Sequence, residues 1–159
     1  MQAMPSPLKC RGYFVTELMV TANPEHNAKN AAKLDFKDLQ VESSAEAVPN
    51  ESGTRIWRLL LHVRQNVGPE KNAPYNFAIV LLGHFEVHPE YPDAKVRQLV
   101  SINGSSILYS AARQILRDAM HNGPFSALLL PTVSFSAPSQ DAAPSKVAEA
   151  KADYGTEKS

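Results

Sequence analysis

Residues 105–135 read SSILYSAARQILRDAMHNGPFSALLLPTVSF, and the order of patterns inside this stretch sets the fold class. Ile107, Leu108, Ala111, Ala112, Ile115, Leu116 and Ala119 recur at the three- and four-residue steps of an amphipathic helix. Gly123-Pro124 predicts its end. The run from Phe125 to Phe135 is rich in apolar side chains, few of them β-branched, and has no ionisable group, so it predicts a surface that packs or grips and not a catalytic loop. Strand-like runs precede this helix and apolar tail. Strands first and helix last is the order of an α+β domain.

The plainest strand covers 75–87, where Tyr75, Phe77, Ile79, Leu81, Phe85 and Val87 fill the odd positions around Gly83. A glycine there predicts a bulge or a close backbone approach. The run 55–67 puts Trp57, Leu59, Leu61 and Val63 on one face and alternates Arg58, Leu60, His62 and Arg64 on the other. The turn-rich 68–74 between them predicts an antiparallel hairpin. Residues 12–22 are strand-like, though neither parity is cleanly apolar, and 34–42 changes phase midway, which implies a bulge or break. A short helix is expected over 94–102. Asn103-Gly104-Ser105 should part it from the long one, with Asn103 or Ser105 as cap.

At 159 residues the chain reads as one domain. Residues 1–11, with Pro5 and Pro7, are expected to form a mobile leader, 12–136 the folded unit, and the Ala/Pro/Ser/Lys/Glu-rich 137–159 a disordered tail. Sixteen basic and sixteen acidic residues cancel, so no field gathers phosphate and nucleic-acid binding is not expected. One cysteine, Cys10, excludes an internal disulfide and suits a reducing compartment. With neither a bilayer-length apolar run nor a signal-peptide pattern, the expected location is cytoplasmic, without membrane insertion.

Even positions Ala78, Val80 and Leu82 are apolar as well, giving way to His84, Glu86 and His88 only at the far end. A sheet wet on one face is polar there. Its second face therefore needs a cover: the chain's own helices and Leu128–Leu130 segment, a partner subunit, or an extended apolar ligand. His84-x-Glu86-x-His88 has the spacing of a metal half-site, with His62 on the adjacent strand as a further ligand, or else it is a solvated strand end. Phosphate loops, nucleophile elbows and CxxC pairs are absent, Cys10 has no arguable partner, and Arg113 and Arg117 read as a solvated helix face. No enzyme is expected and no cofactor. The alternatives are a small metal-dependent enzyme using His84, Glu86 and His88, and an oligomeric scaffold with no client.

From Ile107 onward the sequence resembles the SecB family of bacterial export chaperones. That family's helix reads Leu-Phe-Pro-Tyr-Ala-Arg-Glu, which Leu108, Tyr109, Ala112 and Arg113 echo. Its Gly-x-Phe-Pro and Leu-x-Leu-x-Pro-Val-Asn-Phe are echoed by Gly123, Phe125, Leu128, Leu130, Val133 and Phe135, with the proline displaced by one. Upstream, Gly83-His-Phe85 lies where the family ends its fourth strand, and Tyr13–Ala22 resembles its first. The resemblance implies a four-stranded antiparallel sheet with one long and one short C-terminal helix, assembled as a homo-tetramer, a dimer of dimers. It implies an ATP-independent holdase for unfolded or pre-secretory polypeptides, bound along apolar grooves. On this reading Trp57, Tyr75, Val80, Leu82, Phe125, Leu128 and Leu130 face client, subunit or core, and periodicity does not say which. Members that deliver cargo to the translocase ATPase SecA carry acidic residues on the outer sheet face. Glu17 matches one such position, but Thr21 stands at the second and the net charge of zero departs from an acidic family. Some relatives partner toxin–antitoxin pairs instead.

Overall fold

β4, Tyr75–Val87, has the cleanest alternation and takes an interior place in the sheet of a computed structural model, which describes residues 1–137. β1 (Leu8–Ala22), β2 (Leu39–Val48) and β3 (Arg55–Gln65) complete a four-stranded sheet of order β1-β4-β3-β2, with every neighbouring pair antiparallel. The hairpin expected of β3 and β4 is present. Because β1 pairs with β4 and not β2, residues 23–38 cross the end of the sheet as a long loop.

The odd side chains of β3 and β4 bury against helix. Leu59, Leu61 and Val63 join Phe77, Ile79, Leu81, Phe85 and Val87 in one core with Val96, Val100, Leu108, Ala112, Leu116 and Met120. Burying one such side chain contributes about 1.5–3 kcal/mol, so this shared face is the main source of stability. Gly83 lies within an unbroken register to β3, so it marks close approach and not a bulge in β4. A Cβ there would meet Leu108 at 2.9 Å.

β1 begins at Leu8, inside the segment expected to be a mobile leader. Leu8 is buried opposite Val87, and the His88 amide donates to Pro7 O at 2.8 Å. Its mixed parity has a physical cause. Register shifts between Cys10 and Gly12 and between Val15 and Glu17 each insert a residue, Arg11 and Thr16. Each insertion reverses which parity faces inward, so Leu8 and Cys10, then Tyr13 and Val15, then Leu18, Val20 and Ala22 all share the helix-side face. Gly12, at φ 151°, occupies backbone space that glycine fills without strain.

The run expected over 34–42 is displaced. Phe36–Asp38 is a 3₁₀ turn, and β2 starts only at Leu39 and continues to Val48 through Glu42-Ser-Ser-Ala-Glu46. That strand is an edge, polar because little covers it.

The expected break before the long helix does not occur. α1 (Asp93–Leu99) runs through a π turn at Val100–Gly104 into α2 (Ser105–His121). Neither Asn103 nor Ser105 is a cap; Ser105 is buried and its Oγ lies 2.9 Å from Ser43 Oγ on β2. The π turn takes up one residue, which keeps Val96 and Val100 in phase with Ser105, Leu108 and Ala112. α2 ends before Gly123-Pro124, as expected. The tail expectation falls, from residue 138 on, outside the described residues.

Candidate functional site

Over residues 124–137 the chain has no regular structure, and two tyrosines pin it. Tyr75 Oη donates to Phe125 O at 2.6 Å and accepts the Phe125 amide at 2.8 Å. Tyr109 Oη donates to Pro131 O at 2.7 Å, and its ring lies edge-on to Phe135. Burial raises the Tyr109 phenol above its ordinary value, opposed in part by the Arg113 cation. Between these anchors Leu128–Pro131 forms one wall of a cleft of about 270 Å³. Leu34, Asp35 and Phe36 of the crossing loop form the other, over a floor of Leu39, Gln65 and Phe77. Phe36 and Leu129 are 66% and 78% exposed, so the rim presents bare apolar groups to solvent.

The crossing loop is fastened by the β3–β4 loop. Asn72, in left-handed backbone at φ 54°, accepts the Asn27 amide on Oδ1 at 2.7 Å. Its Nδ2 donates to Asn27 O and Asn30 O, each at 3.0 Å. Asn72 O lies 2.9 Å from His26 Nδ1, and the His26 ring sits edge-on to Phe125, centroids 4.7 Å apart. Lys71 O accepts the Lys33 amide, and Lys71 Nζ reaches Asp38 at 3.0 Å. The Asp35 amide, then Lys71, hold the Asp38 carboxyl below its ordinary value, and Asp38 in turn raises Lys71.

A second apolar surface is the β1 edge. Tyr13, Val15 and Leu18 on one face and Phe14 and Met19 on the other are all exposed. Phe14 is level with Leu82 and Leu60, so the outer sheet face carries an apolar strip across three strands. Glu17, Val80, His62 and Glu42 form the next row. Leu128–Leu130, one of the covers considered for this face, packs on the helix side with Leu39 and Phe77 and leaves the outer strip bare.

A family model described as preprotein translocase subunit SecB matches residues 13–143. The chain belongs to the SecB family. A SecB relative, the protein-export protein SecB of Xanthobacter autotrophicus, is 27% identical over 115 residues, 72% of each chain. Among solved structures, the SecB-like chaperone of Mycobacterium tuberculosis, in complex with a peptide from the HigA1 antitoxin, aligns with TM-score 0.59 at 15% identity. That alignment covers 82% of this chain and 93% of that one. The SecB fold implied by the motifs after Ile107 is thus the fold of this chain.

Against the SecB frame, the named residues separate. Tyr75 and Leu130 are buried and hold the cleft together from inside. Trp57 is half-buried under the Arg97 guanidinium, 5.2 Å from its ring centroid. Phe125 and Leu128 are half-buried beside the cleft, and Val80 and Leu82 lie half-buried on the outer strip. Glu17 is exposed there without an ion pair among the described residues. The metal half-site does not assemble. β4 ends at Val87, before His88, whose Nδ1 accepts the Glu90 amide; Glu86 faces Arg11 at 3.8 Å and His84 meets the Phe14 ring. His62 is level with Val80, four residues along β4 from His84. Among the described residues no three His, Cys, Asp or Glu side chains converge as ligands, and no helix is long and apolar enough to cross a membrane. Leu34, Phe36, His26 and Asn72 belong to the site and were missed. Loop side chains carry no periodic signal, and the only hint was the phase slip after Phe36.

Proposed function

We propose that this SecB-family chain is an ATP-independent holdase that keeps unfolded or pre-secretory polypeptides from aggregating in the cytoplasm. One observation carries the reading: a single subunit leaves the cleft rim, the β1 edge and the outer strip apolar and uncovered. Such surface on a monomer is rare and marks binding. The cleft suits one large apolar side chain of an extended client, and its affinity scales with buried area, which tolerates many sequences. The outer strip with Val80 and Leu82 gives the same client a second weak contact, and joined weak contacts raise avidity.

The β1 edge suits a second copy of the chain, since an exposed apolar edge strand pairs with another strand unless something blocks it. Two such pairings, with helices packed together, give the dimer of dimers. The peptide held by the M. tuberculosis relative supports polypeptide as the ligand class. The match to export SecB supports a role in protein export. Glu17, with Thr21 at the second expected position, gives only part of the acidic SecA-facing pattern, so a general or dedicated client is the alternative.

The test is light scattering of a thermally aggregating protein, with native mass measured alongside. Suppression at about one oligomer per client, without nucleotide or metal, is the expected result. An oligomer that suppresses nothing across several unfolded clients overturns the holdase and leaves a scaffold.

A further inference from the structure

Resting on the holdase reading, we infer that Asn72 is a positioning residue for client binding, fixing the outer wall of the cleft without touching the client. Leu34 and Phe36 sit on a crossing loop that contributes no strand, so no sheet ladder sets their place. What ties them down is the β3–β4 loop. Asn23 Nδ2 donates to Ala73 O at one end of the loop, and Lys71 meets Asp38 at the other. Between these ends the Asn72 side chain spans from Asn27 to Asn30, and the Asn72 backbone carbonyl lies against His26. His26 in turn packs on Phe125, at the root of the opposite wall. Asn72 therefore holds the crossing loop through its side chain and meets the opposite wall, by way of His26, through its backbone carbonyl. Its left-handed backbone suits asparagine or glycine, while only asparagine supplies the donor and acceptor pair. A wall held in place raises affinity because a site competent only part of the time binds in proportion to that fraction.

The discriminating variant is Asn72→Gly, which keeps the backbone conformation and removes the amide. Asn50→Ala is its control, since Asn50 bridges Val48 O and Thr54 O in the β2–β3 turn, away from the cleft. The full-length oligomer is titrated with a reduced, carboxymethylated and permanently unfolded protein while amide exchange is followed. In Asn72→Gly, exchange at Asn27 should rise with β3 and β4 amides unchanged, and client Kd should weaken by about tenfold, a competent fraction near one tenth. Asn50→Ala should bind as wild type. Unchanged loop exchange, unchanged binding despite a freed loop, or equal weakening in both variants each overturns the inference. A wild-type protein that binds no client overturns the holdase instead, and the exchange arm still reads whether Asn72 holds the wall.

Discussion

Tyr75 and Gly123 show how a single atom can define a boundary. A Cβ on Gly123 would stand 2.5 Å from Tyr75 Oη, so the glycine is needed there for closeness. Gly123→Ala should destabilise by about 1–3 kcal/mol in urea titration, the usual cost of overpacking. Tyr75→Phe should cost about 1–3 kcal/mol by leaving the Phe125 amide without its acceptor. Together they should cost less than their sum, because the phenol oxygen the new methyl meets is gone; additive losses would refute this contact. Asp38 carries a pH signature. Its carboxyl is depressed, so its contribution to stability is present above the ordinary value of 3.8 and is lost as pH falls through the lower folded value. Asp38→Asn should be less stable than wild type at neutral pH, and the gap should close below about pH 4 in thermal melts at stepped pH.

At the level of elements, the inserted residues of β1 bend the strand without choosing its facing. Removing Thr16 would set Val15 and Glu17 side by side opposite Leu81 and Val80, so Leu18, Val20 and Ala22 would keep the helix-side face and only the kink would be lost. The deletion should therefore still fold, with Tm shifted by a few degrees at most, as for Thr16→Ala; circular dichroism melts check this at about 2–4 °C per kcal/mol for a chain of this size, and loss of folding would refute the pairing. The same strand explains what could be read in advance. β4 was legible to the residue, and the start of β3 with it, because each is covered on one whole face whose large apolar side chains recur at every second position. β1 showed as a strand but hid its facing, since two parity reversals cancel in any alternation count. β2 was misplaced because Leu34 and Phe36 are apolar for the cleft and not for a ladder. The helix break was expected from Asn103-Gly104-Ser105, but Gly104 lies where a Cβ would meet Leu59 at 3.2 Å and serves close packing instead. Of the site, Leu128 and Phe125 were visible in the family motif, whereas Asn72 and His26 act through hydrogen bonds and stacking that only the folded loops create.

The whole molecule has two sheet edges of opposite character. β2 carries Glu42 and Glu46, and Arg97 of α1 donates to Ala45 O at 3.0 Å, so its edge is partly closed. β1 has no such guard among the described residues. Leu18→Lys should therefore lower the native mass to monomer or dimer while the subunit stays folded, and an unchanged oligomer would place the interface elsewhere. Phe36→Asp at the cleft rim and Leu82→Asp on the outer strip should each weaken client binding several-fold with the oligomer intact, the first more strongly. Loss of the oligomer in Leu82→Asp would make the strip a subunit contact. The inserted residues of β1 bear on this as well. A straight foreign strand laid along that border falls out of step within a few residues of either kink, whereas an identical strand run the opposite way brings kinks of its own. The irregular border thus works against the flat, endless stacking to which smooth greasy ribbons are prone.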